Sequence, residues 1–211
     1  MSKISLKHSG GNVVSLNSPS SAPTSADVAF KLPNADGTSG QAIVTDASGN
    51  LSFAGTGKIL QVKQTLKTDT FSTSVYGYTN ITGLSVAITP TSSSNKILII
   101  VHLTGAGTKD QTRVGYRIFK DGTTALGSGD AAGNRVTGFG AIYHPSDQHS
   151  VATVSATILD TPSDTSSHTY QVQTSNLSNS GSNYINRSET DTDAYYSMRS
   201  SSSITVMEVA A

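Results

Sequence analysis

Two histidines and a carboxylate lie close together in His144-Pro-Ser-Asp-Gln-His149. Two imidazoles and a carboxylate are a donor set that zinc or nickel accepts. The spacing matches no specific metal motif, and Pro145 with Ser146 reads as an exposed turn. Solvated loop polars are therefore the default reading. Glu189-Thr-Asp-Thr-Asp193 is the densest acidic run, and it alternates oxygen ligands of the kind calcium takes. It lacks the glycine and the later glutamate of an EF-hand loop, so it reads as a run that keeps a loop soluble. Serine is abundant, but there is no G-x-S-x-G elbow. Carboxylates from distant loops could converge for glycosidase chemistry, yet no Asp or Glu stands in a recognisable context for it. With no cysteine in the chain, disulfides, thiolate metal sites and cysteine catalysis are excluded. The expectation is a non-enzymatic protein without a cofactor.

A different chemistry gathers near the C-terminus. Tyr184, Tyr195 and Tyr196 occur with Asn176, Asn179, Asn183 and Arg187. Aromatic faces stack on sugar rings, and amides and arginine hydrogen-bond hydroxyls or phosphates, a mixture that binding surfaces favour. Tyr184 and Arg187 are the best single candidates for a weak glycan contact. The bland alternative is that these tyrosines pack between subunits or cap a sandwich. The sequons Asn80-Ile-Thr82 and Asn186-Arg-Ser188 are chance matches without a secretory route.

Composition limits the partners. Charged residues make up 13% of the 211 residues and the formal net charge is zero. No basic face of the kind that neutralises phosphates is visible, which argues against nucleic acid. The longest dense apolar run, Ile97–Val101, is far too short to insert in a membrane. Met1–Leu16 lacks the apolar region of a signal peptide, so the expectation is a chain made in a cytoplasm, without an export signal of its own. More than a quarter of the residues are Ser or Thr. Absent net charge and recurrent apolar strands favour an all-β protein over disorder.

Two regions meet near Gly55-Thr-Gly57. In residues 1–57 the strand candidates are short: Ile4–Lys7, Asn12–Leu16, Asp27–Leu32, Gln41–Thr45 and Leu51–Phe53. Turn chemistry separates them, and Asp46-Ala-Ser-Gly-Asn50 reads as a hairpin turn. One copy of this region carries too few large apolar residues for a core, which several copies could share; a loose arm is the alternative. In residues 58–211 the strands lengthen. Leu84, Val86 and Ile88 fall on one face, as do Ala152, Val154, Ala156 and Ile158. Lys96–Leu103 is nearly continuous, as in a strand buried on both sides. Asp121-Gly122 is a hairpin signal after Val114–Lys120. Strands are also expected at 139–143, 168–174 and 203–209, the last with Glu208 breaking its apolar face. Together these predict a β-sandwich, jelly-roll-like.

Leu32-Pro-Asn-Ala-Asp-Gly-Thr-Ser-Gly-Gln41 with Thr45-Asp-Ala-Ser-Gly-Asn-Leu-Ser-Phe53 resembles a module of tail-fibre and other virion structural proteins of marine bacteriophages. The block from Ile59-Leu-Gln-Val-Lys-Gln-Thr to Ile97-Leu-Ile-Ile-Val-His-Leu103 is similar to the head domain that often follows it. Ser203-Ile-Thr-Val-Met-Glu-Val-Ala-Ala211 is similar to the way such chains close. The resemblance covers most of the chain. It implies a homotrimer in the virion, with residues 1–57 for attachment to other virion proteins and trimerisation, and with residues 58–211 as an exposed head that contacts a host-surface glycan. Met1–Leu16 is shorter than the long shafts of many tail fibres, which leaves open a capsid decoration or head-fibre protein with a purely structural role. An enzyme acting on polysaccharide is the reading from another class.

Overall fold

The computed structural model describes residues 3–7, 9–11, 13–17, 31–38, 41–46, 48, 50–55, 57–110, 113–143 and 147–211. Its described residues are all-β, with strands and turns and no helix. The chain divides into two compact units, Met1–Gly57 and Lys58–Ala211.

The first unit holds two antiparallel hairpins. β1 (Lys3–Lys7) pairs with β2 (Val13–Asn17), and β3 (Gln41–Thr45) pairs with β4 (Leu51–Gly55). Asp46 closes the second: its carboxylate accepts the Ser48 N–H at 2.8 Å and the Asn50 N–H at 3.1 Å. Most of the expected strand at Asp27–Leu32 lies outside the described residues; Lys31 forms a single bridge to Asn50.

The second unit is a sandwich of two antiparallel sheets. One runs in the order β5 (Ile59–Lys67), β15 (Ser202–Val209), β8 (Lys96–Gly107), β14 (Asn183–Ile185), β6 (Phe71–Thr73), with β12 (Ala152–Asp160) on the other edge of β8. The other runs β10 (Thr124–Leu126), β9 (Arg113–Lys120), β13 (His168–Asn176), β7 (Gly77–Ile88), with β11 (Gly140–Tyr143) sharing the β10 edge of β9.

Their facing sides form the core. β7 contributes Ile81, Leu84, Val86 and Ile88; β8 contributes Ile97, Ile99, Val101 and Leu103. Val114, Tyr116 and Ile118 of β9 meet them, with Tyr170 and Val172 of β13 and Ile204 and Val206 of β15. Burying each such aliphatic side chain contributes about 1.5–3 kcal/mol. Strict alternation cannot place both Ile81 and Leu84 inside. Gly83, at φ 77°, inserts the extra residue that lets both point inward. The Gln171 amide then donates to the Ile81 and Leu84 carbonyls at 2.9 and 3.0 Å, tying β13 to the irregular part of β7.

Several expectations hold. Val154, Ala156 and Ile158 pack against the core from one side of β12. Asp121 and Gly122 both take positive φ, 52° and 65°, as the mirror-image hairpin turn requires. Two short strands, β6 and β14, lie outside the expected set.

Two expectations are corrected. β8 is not buried on both sides: Ile97, Ile99, Val101 and Leu103 face the core, while Ile100 and His102 face outward. The second sheet covers only one of its faces. Glu208 does not break the inner face of β15; it is fully buried there. Its carboxylate accepts hydrogen bonds from Gln61 Nε2 (2.6 Å), the Thr91 N–H (2.6 Å), Thr91 Oγ1 (2.8 Å) and Asn95 Nδ2 (2.7 Å).

Burial pushes the Glu208 carboxyl up, but these donors outweigh it and leave the pKa lowered to about 2. A lowered carboxyl gives stability that is complete above its unfolded value, 4.5, and lost as pH falls through about 2. Replacing Glu208 with Gln turns an amide N–H₂ toward donors. Glu208→Gln is expected to cost about 1–3 kcal/mol at pH 7 and to flatten the loss of stability between pH 4.5 and 2, read from urea melts across pH.

Candidate functional site

Between β14 and β15 the chain leaves the sheet for residues 186–201, and this excursion carries Arg187, the acidic run 189–193, Tyr195 and Tyr196. Asn186 anchors its base at φ 61°, a conformation Asn tolerates better than most residues. The Asn186 Nδ2 donates to the Lys67 and Asp69 carbonyls at 2.8 and 2.9 Å, and its Oδ1 accepts from Ser202 Oγ at 2.6 Å. Its backbone N–H reaches the Thr104 carbonyl at 3.0 Å, and its carbonyl accepts the Ser200 N–H at 3.1 Å. One fully buried amide thus joins β5, β8 and both ends of the loop.

Beyond Asn186 the acidic run is engaged. Glu189 accepts the Lys109 N–H at 2.7 Å. Asp191 receives two hydrogen bonds from Arg199, at 2.6 and 2.5 Å, and lies 3.6 Å from Arg187. Two guanidinium groups therefore share one carboxylate. Asp191, Asp193, Ser197 and Arg199 help line an open depression of about 320 Å³. Among the described residues no group of three His, Asp or Glu is placed to hold a metal ion.

The loop reaches the turn before β12, where the Thr190 N–H donates to the Gln148 carbonyl at 3.1 Å. There the Asp147 carboxylate accepts the His149 N–H at 2.8 Å. His149 meets Tyr196 edge-on at 4.7 Å between centroids, and Tyr196 meets Tyr195 in the same way at 5.3 Å. Tyr195 is 100% exposed. Of the histidine pair, His144 lies outside the described residues.

Tyr184 and Arg187 are brought together, with the guanidinium 4.5 Å above the Tyr184 ring. The arginine side chain is only 19% exposed. The amides separate from this patch: Asn176 and Asn183 are buried. Asn176 Nδ2 donates to the Ser180 and Gly181 carbonyls and closes its own turn, and Asn179 takes φ 53° in that turn. Sequence listed the aromatic residues correctly but not their directions. The outward rings are Tyr195 and Tyr196, with Met198 exposed beside them in sequence. Asn186, directly after Ile185 of β14 and at positive φ, is the residue that sets these directions. An exposed edge of rings beside an arginine-lined depression can stack on one face of a flat or cyclic ligand and donate hydrogen bonds to its rim.

No family model matches the chain, and no curated protein matches it. Among solved structures, one similar chain belongs to the structure of infectious bursal disease virus Gx strain, at 16% identity and a TM-score of 0.36. The alignment spans 80% of this chain and 41% of that one. A TM-score of that size fixes neither fold nor function.

The loop's anchors differ in strength. Asn186→Ala removes a buried amide with several partners and is expected to cost about 1–3 kcal/mol. Arg199→Ala breaks a more exposed ion pair and is expected to cost no more than about 1 kcal/mol, while still speeding proteolytic cleavage within residues 187–201. Urea melts and timed proteolysis check the two.

Proposed function

We propose that the chain is a non-enzymatic, homotrimeric virion fibre protein, fixed to its particle through residues 1–57 and presenting residues 58–211 to the host surface. The observation that carries this reading lies in the first unit. Ile43 and Val44 are neighbours on β3 and so point to opposite faces of the hairpin. Both are exposed, at 56% and 38%, and Leu32 nearby is 80% exposed. A lone two-stranded hairpin is marginal in water; here residues 33–37 lie against part of the face that carries Phe53, while Ile43 and Val44 stay exposed. Three copies wound together would cover both faces. The sequence resemblance at residues 32–53 supplies the virion context.

In this reading the 186–201 loop makes the host contact. Tyr195 and Tyr196 form the outward surface, and Tyr184 and Arg187 hold it from beneath. A host-surface glycan fits stacking rings beside arginine, and three weak sites per trimer raise avidity by about 10²–10⁴. One observation favours the decoration reading instead. Arg187 is already engaged with Tyr184 and Asp191, as a purely structural loop would have it.

Light scattering on the purified full chain is expected to give three times the chain mass; a monomer at tens of micromolar would overturn the trimer. On a glycan array the protein is expected to bind at least one glycan class, and a Tyr195→Ala, Tyr196→Ala variant to bind at least tenfold more weakly. Absence of any binding leaves the decoration reading. Undiminished binding by the variant removes the site from this loop.

A further inference from the structure

We infer that the outer face of the β5-β15-β8-β12 sheet is a contact between copies of this chain. The register places Val62, Met207, Leu98 and Leu159 side by side across four strands. In the neighbouring rows stand Ile100, between Thr205 and Thr157, and Leu66, beside Ser203. These positions alternate with Ile99, Val101, Ile204 and Val206, which fill the core, so they point the other way. Val62 is 56% and Leu159 51% exposed.

The other sheet of the same sandwich shows what an outer face left to water looks like. There Arg117 lies over the rings of Tyr78 and Phe119, at 4.0 and 4.4 Å, and donates to Gln173 at 2.6 Å. Gln173 in turn donates to Asn80 at 2.7 Å. A solvated sheet face normally has this polar character. The first sheet's outer face has aliphatic side chains in the same role.

Its occupant is a second copy, on two grounds. The rows named carry no Asp, Glu, Lys or Arg, and their one titratable member is His102, beside Ser203, so the face offers little charge complementarity to an acidic or basic partner and little repulsion to its own duplicate. The area also suffices. Four strands spaced about 4.8 Å apart, over six residues at about 3.4 Å each, present about 400 Å² in projection. Three such faces, meeting around the threefold axis of the proposed trimer, bury on the order of 1,000 Å² together, where specific contacts begin. The inference rests on the homo-oligomer proposed above and not on the virion role. It adds a second contact, outside residues 1–57.

The absence of cysteine makes the test direct, because a single introduced thiol reports alone. Val62→Cys and Leu159→Cys, each in the full chain, replace exposed side chains and should fold. Thr124→Cys, exposed on β10 of the other sheet, is the control. In the oligomer both test thiols are expected to react with a maleimide at least tenfold more slowly than the control, and dilution to monomer should abolish the difference. Equal rates within a stable oligomer overturn this contact and leave the oligomer held by residues 1–57. A monomeric wild type overturns the contact together with the oligomer. Protection that persists in a monomer assigns the cover to the chain's own residues 1–57, and likewise overturns the inference.

Discussion

The pleat of β8 is the constraint on which the second unit depends. β8 pairs with β15 and β14 along one edge and with β12 along the other, so its register sets theirs. Its sequence is apolar at five successive residues, Ile97 to Val101. A strand sends alternate side chains to opposite faces, so only one of its two sets can meet the opposing sheet. Ile97, Ile99 and Val101 fill the core, and Leu98 and Ile100 are committed to the far side. Shifting the register by one residue would exchange the two sets, and nothing in the aliphatic types of this run forbids it. Something else must fix which set faces in.

Polar groups at the ends of the sheet do this. Glu208 sits at the start of the rows and finds its donors on β5 and on the turn from Thr91 to Asn95. Asn186 sits near the other end, bonded to β5, β8 and β15. Both are fully buried. A one-residue slip of β15 would carry Glu208 to the outer face and strand its donors inside, at a cost of a few kcal/mol in unmet hydrogen bonds. The aliphatic rows supply most of the burial, and these two side chains supply the choice between registers. The same amide at residue 186 also sends the next residues out of the sheet, so the exposed tyrosines depend on a bond network that lies beneath them.

This division explains which parts of the molecule could be read from sequence. β12 was legible because Thr153, Ser155 and Thr157 mark its outer face against Val154, Ala156 and Ile158. The turn at Asp121-Gly122 was legible because its chemistry is local. β8 was misread because an apolar run looks the same whether one face or both are buried. β14 escaped notice because it is three residues long and begins with Asn183, a polar residue that is buried. In the candidate site, residue types were visible and directions were not. Whether Tyr184 or Tyr195 faces outward is decided by the positive φ of Asn186 and by partners more than 80 residues away in sequence.

The two units share one unresolved demand. In residues 1–57 the hairpin bares Ile43 and Val44 on opposite faces; in residues 58–211 one sheet turns a row of aliphatic side chains outward. The second is more than stray apolar residues on a polar surface, because it is continuous across four paired strands, from Val62 through Met207 and Leu98 to Leu159. A binding partner of a different kind would need two complementary surfaces. Copies of the chain need only a rotation, since every contact made by one is repeated by the others. The charge balance suits this arrangement. With 14 basic and 14 acidic residues in 211, no long-range repulsion keeps identical chains apart. The acidic run that would have added local repulsion is instead tied down by Arg187, Arg199 and the Lys109 N–H. Apolar surface left exposed by the fold, and acidic charge neutralised within it by Arg187 and Arg199, are the two features on which the proposed oligomer rests.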